Sequence, residues 1–261
     1  MKDELINGHF TSYFITAHQL FKVRVVLLVT SVAMLSWIIA YNFVFQNPPF
    51  IVKYFTNLSW IGLVIYFLVM VLLSYRLENM LVMSDRKKYW AGIALEALVA
   101  ITQTVTWMVV LVYWILLSKD LLTLPSIHQK IINVVEHAID LFMVVIEMTL
   151  TKSWLKYYSF VFPLAVAWFY TFWTWIFVYA GIWDWPYNFF RQVLDPNNKA
   201  AWITAVAILG GSVVVIVIYF IPYVTFRIRE YYGKKRDFTP TGTPKEHDAN
   251  VVQVHEPNQE A

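Results

Sequence analysis

The sequence predicts an all-α, polytopic membrane protein: a six-helix transmembrane bundle with both termini in the cytosol. Three observations lead there. Of 261 residues, 59% are hydrophobic and only 14% charged, and mean hydropathy is +0.55; soluble domains carry roughly 45–50% apolar and about 25% charged residues. Six stretches are each long enough to cross a bilayer, which takes about 20 mostly apolar residues as a helix. Lys and Arg collect at alternate ends of those stretches, as they do in loops that stay cytosolic.

The six expected spans are 23–45, 51–75, 89–117, 129–151, 155–183 and 200–226. The first and sixth are the cleanest apolar runs, and the third and fourth carry polar residues. Turn residues separate them: Gln46-Asn47-Pro48-Pro49, Leu124-Pro125-Ser126, and the stretch from Trp185-Pro186 to Asp195-Pro196-Asn197-Asn198. The runs are too long and continuous for a barrel, which needs alternating segments of about ten residues. One cytosolic side gathers Lys2, Lys22, Arg24, Arg76, Arg86, Lys87, Lys88, Lys152, Lys156 and the basic residues from Arg227 to Lys245. Only Lys53, Lys119, Lys130, Arg191 and Lys199 fall opposite. The expected organisation is a cytosolic arm (1–22), a membrane domain (23–229) and a polar, disordered cytosolic tail (230–261).

This composition excludes a soluble enzyme. A net charge of +3 is too small to imply a nucleic-acid partner, and the absence of cysteine removes disulfides, thiolate metal sites and a thiol nucleophile. Only His137 lies well inside a span, so paired axial histidines for a membrane haem are excluded. No metal or organic cofactor is implied.

Ionisable groups inside a bilayer cost at least ~2.5–3.5 kcal/mol each and usually face the bundle interior. They concentrate on the fourth span, where Asn133, Glu136, His137, Asp140, Val144, Glu147 and Thr151 recur at three- and four-residue steps and form one stripe. Glu96 and Gln103 on the third span, with Thr102, Thr104 and Thr106, are the expected partners. Such a seam either glues helices together or marks function. His137 suits general-base chemistry, since imidazole titrates near working pH; it equally suits a structural hydrogen bond. A base needs an oxygen to activate, and Thr56 and Ser59 near the start of the second span are candidates. Thr56 lies ~10 Å into its helix and His137 ~14 Å into its own at 1.5 Å per residue, so the two occupy similar depths.

At these residues the chain resembles the androgen-induced protein family of integral-membrane threonine hydrolases and their Rolling stone-like relatives. Three blocks carry the likeness: Tyr54-Phe55-Thr56 opening the second span; His137 followed by an apolar run to Ile146-Glu147-Met148; and Trp175, Gly181, Trp183 and Pro186 in the spacing W-x5-G-x-W-x2-P. The resemblance implies a lipid esterase that hydrolyses fatty-acyl esters, such as fatty acid esters of hydroxy fatty acids. Thr56 would be the nucleophile and His137 the base, acting in an endomembrane on substrates drawn from membrane lipids. Asn57 or Ser59 would donate to the oxyanion, and Asp140, at i+3 from His137, would orient the imidazole. The chain departs from the hydrolases by carrying Phe177 and Val178 where they place histidines, and Asp140 and Leu141 near where they place a proline. Rolling stone-like kinship also allows a non-enzymatic structural or fusion protein, and the acidic groups a transporter.

Overall fold

The computed structural model describes residues 9–45, 53–76, 84–117, 127–195 and 201–237. Every regular element among them is helical. The long ones are α1 (Ala17–Phe45), α2 (Phe55–Tyr75), α3 (Asp85–Val112), α4 (Ile127–Leu150), α5 (Val161–Tyr179) and α7 (Ala201–Asp237), with a short α6 (Asn188–Leu194) before the last. A π-helical turn, Tyr113–Leu117, prolongs α3, and a 3-10 turn, Tyr157–Phe160, leads into α5. The expected turn segments 46–49, 124–126 and 196–198 lie outside the described residues.

Among the described residues, five helices are long and apolar enough to cross a membrane: Ala17–Tyr41, Phe55–Tyr75, Asp85–Ile115, Tyr157–Tyr179 and Thr204–Lys234. Their outer faces are belts of large apolar side chains, among them Val29, Leu72, Phe169, Leu209 and Val217, all more than half exposed. A surface like this, spread over five helices, is far beyond what water tolerates on a soluble monomer. The chain is therefore an integral membrane protein. The sixth expected span, α4, has the length but not the composition, because Lys130, Glu136, Asp140 and Glu147 interrupt it. Its polar stripe is turned inward: His137, Asp140, Val144, Glu147 and Thr151 are buried, while Ile131 and Phe142 are exposed.

Helix α3 occupies the centre and touches α2, α4, α5 and α7. Of its most apolar window, 56% is buried, against 17–33% for the other four. It can be surrounded because Gly92, Ala100, Thr102, Thr104 and Thr106 keep its girth small, the residue types that let helices approach in lipid, where apolar area alone gives no drive to associate. Around it, Trp60, Leu63, Tyr66, Phe67 and Met70 of α2 pack with Leu95 and Val99 of α3 and with Met143, Val144 and Met148 of α4.

Both ends of the membrane domain differ from expectation. Helix α1 begins at Ala17, six residues before the expected span, and α7 continues to Asp237, into the stretch expected to be disordered. The arm is partly built in from His9 onward. His9 and Phe10 are buried, and the Lys152 N–H donates to the Thr11 carbonyl at 2.8 Å. Tyr13 lies so close to Gly233 of α7 that a Cβ there would stand 2.5 Å from its ring, so the docking of arm on helix requires a glycine.

Candidate functional site

Helix α2 starts abruptly. Tyr54, in its N-cap position, is extended (φ −94°, ψ 131°) and its side chain caps nothing, although the first N–H groups of any helix need acceptors. Distant phenols supply the local order. The Phe55 N–H donates to the Tyr187 hydroxyl at 3.1 Å, and the Tyr170 hydroxyl donates to the Lys53 carbonyl at 2.7 Å. The Thr56 side chain lies within hydrogen-bonding reach of the same Tyr187 phenol. Burial raises the pKa of Tyr187, while its contacts with Thr56 and the Phe55 N–H oppose the rise. It is a neutral phenol at physiological pH, and its oxygen accepts from the first turn of the helix.

Tyr187 reaches this point through a sharp reversal after α5. Gly181 has φ +70°, the left-handed conformation that glycine adopts without strain. The Ile182 N–H then closes back on the Phe177 carbonyl at 3.0 Å, which ends α5 in a Schellman-type cap. Trp183 follows and stacks on Phe177 with ring centroids 4.4 Å apart. Phe177 is thus used for aromatic packing. Tyr187 comes four residues after Trp183 and just before α6. Sequence reasoning missed it; the Trp183–Pro186 turn was its only local signal.

Thr56 opens onto a cavity of about 440 Å³ bounded by α2, α3, α5, α6 and α7, within the roughly 300–1,000 Å³ of small-molecule sites. Its walls are largely apolar (Phe55, Met108, Val109, Val112, Leu164, Leu194), with the hydroxyls of Thr56, Tyr113, Tyr170, Thr171, Tyr187 and Ser212 on its lining residues. Ser59, one turn on, faces a separate cavity of about 340 Å³. Phe55 and Tyr170 line both spaces and pack 4.8 Å apart between ring centroids. Asn57 is buried and lines neither. The expected oxyanion donors therefore do not share the cavity of Thr56, whereas Tyr187 does.

His137 is buried but lines neither cavity. Its ring stacks flat on Tyr113, 3.7 Å between centroids and 18° between planes, and its Nδ1 has no hydrogen-bond partner. Tyr113 lines the cavity of Thr56, so His137 is one aromatic layer behind its wall, and no hydrogen bond joins the two expected catalytic residues. Asp140 does not orient the imidazole either. Its Oδ1 accepts the Leu141 N–H at 2.7 Å and its Oδ2 is buried without a partner. Gln103, an expected partner of the stripe, is wholly buried with both amide atoms unpartnered.

The far end of the α4 stripe is an ion-pair lock. Glu147 Oε1 accepts from Arg24 Nε at 3.0 Å, from Arg24 Nη2 at 2.7 Å and from the Tyr66 hydroxyl at 3.1 Å. Arg24 also donates to the His9 carbonyl at 2.6 Å and to the Ser74 hydroxyl at 3.2 Å. Arg229 of α7 closes the C-terminus of α4 by donating to the Met148 carbonyl at 2.7 Å and to the Ser153 carbonyl. The His9 ring bonds the Ser153 hydroxyl at 2.9 Å. Burial, and then the neighbouring Arg24 and Arg229 guanidiniums, push its pKa down to about 3, so it is neutral. Glu96 works elsewhere: it pairs with Lys156 at 2.8 Å and accepts the Ser159 hydroxyl and the Lys156 N–H.

Comparison with family models, with curated proteins and with solved structures returns no match for this chain.

Proposed function

We infer that the chain is an intramembrane lipid esterase acting on fatty-acyl esters, with Thr56 as nucleophile. The observation that carries this reading is Thr56 on the wall of a largely apolar cavity, with the half-buried phenol of Tyr187 beside it. In this mechanism Thr56 Oγ1 attacks the ester carbonyl carbon and its proton passes to His137. The C=O π pair moves onto oxygen, and Tyr187 stabilises that oxyanion by donating its O–H. Collapse expels the alcohol, which takes the proton from His137 and leaves an acyl-threonine. Water, deprotonated by the same base, adds to the acyl carbon; collapse breaks the acyl–Oγ1 bond, Thr56 Oγ1 takes the proton back from His137, and the fatty acid leaves. General-base catalysis operates through one bridging water as well as by direct contact; for His137 to serve Thr56 the Tyr113 ring stacked on it must turn aside and admit that water.

The reading carries a topology with it. Helix α4 is the sixth span, its charges turned to the interior as the apolar exposure of Ile131 and Phe142 favours, and both termini are cytosolic, in an endomembrane rich in the lipids that serve as substrate. The resemblance to androgen-induced and Rolling stone-like proteins supports the same assignment through Thr56, His137 and the Trp175–Pro186 block.

Labelling with a fluorophosphonate probe in native membranes tests it. Wild type is expected to label, Thr56→Ala to lose labelling at equal expression, and His137→Ala and Tyr187→Phe to label more slowly. Full labelling of Thr56→Ala refutes the assignment. The structural alternative draws on one observation, the Arg24–Glu147 lock; it predicts unlabelled wild type and no ester turnover.

A further inference from the structure

The two cavities lie in series. On α3, Ile101 and Val105 line the second cavity, and Met108, Val109 and Val112, on the turns that follow, line that of Thr56. On α2 the second cavity continues from Phe55 to Gly62, away from the start of the helix. Phe55 clusters with Val105 and Val109, so the start of α2 lies beside the later turns of α3. Both helices thus give one order, with the second cavity deeper in the membrane domain than Thr56. The residues common to both cavities are Phe55 and Tyr170. Their rings, 4.8 Å apart and tilted by 53°, form the wall between. Tyr170 is anchored by its hydroxyl to the Lys53 carbonyl at 2.7 Å. The Phe55 side chain has no polar anchor, so it is the leaf that can turn.

Length gives the wall a meaning. No helix follows the Thr56 cavity for longer than Ala207 to Val215, ~12 Å at 1.5 Å per residue. The two cavities together follow α3 from Ile101 to Tyr113, ~18 Å. An acyl chain in a membrane spans about half of the ~30 Å hydrocarbon core, or ~15 Å: too long for the first space and within the reach of both. The second cavity is almost wholly apolar, and at Gly62 a Cβ would meet nothing within 4 Å. We propose that this second cavity is the tail subsite of the esterase, taking the methyl end of a long acyl chain whose carbonyl lies at Thr56, and that Phe55 sets the chain-length limit. The proposal rests on the esterase reading and adds to it the selection of chain length. Tails in a bilayer already have apolar surroundings, so added methylenes bring no drive to enter, and length is selected by room.

The test compares butyl and tetradecyl fluorophosphonates on the full-length chain in phosphatidylcholine vesicles. Thr56 Oγ1 bonds to phosphorus, fluoride leaves and the hydroxyl proton passes to the base, so the alkyl tail lies where the acyl chain would. Wild type is expected to label with both. Gly62→Leu fills the second cavity and not the first; it should slow tetradecyl labelling at least about fivefold, an overpacking cost of ~1 kcal/mol, and leave butyl labelling unchanged. Phe55→Ala should raise the ratio of tetradecyl to butyl labelling. A diazirine at the end of the long tail should crosslink the segments holding Gly62 and Ile101 in wild type. Three results overturn the tail subsite while leaving Thr56 a nucleophile: equal slowing of both probes by Gly62→Leu, slowing of neither, or tail crosslinks confined to the segment Ala207–Val215. Wild type that neither probe labels refutes the esterase reading and the subsite with it. Should Gly62→Leu fail to fold, the wild-type crosslinks decide.

Discussion

Replacing Glu147 by Gln keeps the shape of the side chain and removes its charge. Arg24 is 1% exposed and Glu147 equally so, so the guanidinium would stay buried with no counter-charge. Three hydrogen bonds end on Glu147 Oε1. Each charge-assisted bond contributes ~1.5–3 kcal/mol and each neutral one ~0.5–1.5, so losing the charge takes about 1 kcal/mol from each, or ~3 kcal/mol together. Breaking one side of a buried pair generally costs about 3–5 kcal/mol, which agrees. For a chain of this size that corresponds to a fall in Tm on the order of 6–20 °C, read as loss of the monodisperse peak on heating in detergent. The double variant Arg24→Gln, Glu147→Gln should recover about half of the loss, because no charge is then stranded. A Glu147→Gln protein melting within about 2 °C of wild type, or a double variant as unstable as the sum of the singles, refutes the reasoning.

His9 gives a pH dependence. Its folded pKa of about 3 lies below the ordinary 6.5, so between those values the unfolded chain binds a proton that the native one does not. Stability therefore falls as pH drops below about 6.5, by ~1.4 kcal/mol per unit, and is level above it. His9→Gln should flatten that slope in melts collected across the acid range. Gly181→Ala adds a Cβ that meets no neighbour, so its cost is conformational, ~1–2 kcal/mol for an L-residue held at positive φ. It should also reduce fluorophosphonate labelling, since the turn carries Tyr187; normal labelling with a lowered Tm would separate the turn from the site.

The α4 stripe was legible from spacing alone, because a helix period of 3.6 places His137, Asp140, Val144 and Glu147 on one face whatever the fold, and all four are buried. What each residue on the stripe touches was not legible. Glu147 meets Arg24 across 123 positions, and Glu96 turns to the Lys156–Ser159 loop instead of to α4. Five of the six expected spans are borne out among the described residues, and the sixth stays open at the same helix for a related reason: length and apolar runs suggest a crossing, while four charged residues take it below the composition of its neighbours. Thr56 was visible as a polar residue near a helix start. Tyr187 was not, since nothing local says that a loop phenol 132 positions away completes the first turn of α2.

The separation between Arg24 and Glu147 also sets a timetable for biosynthesis. Chains are made at about 5–20 residues per second, so α1 leaves the ribosome roughly 6–25 s before the carboxylate that neutralises its arginine. Ser74, 50 positions on, arrives sooner but brings no charge. Over that interval Arg24, eight positions into α1, has the headgroups and water at the membrane surface as partners, which a long flexible side chain can reach. Seating α1 against α2 and α4 is then a late event of assembly. Variants of Glu147 should accumulate as chains with an inserted but undocked first helix, in the form that membrane quality control meets.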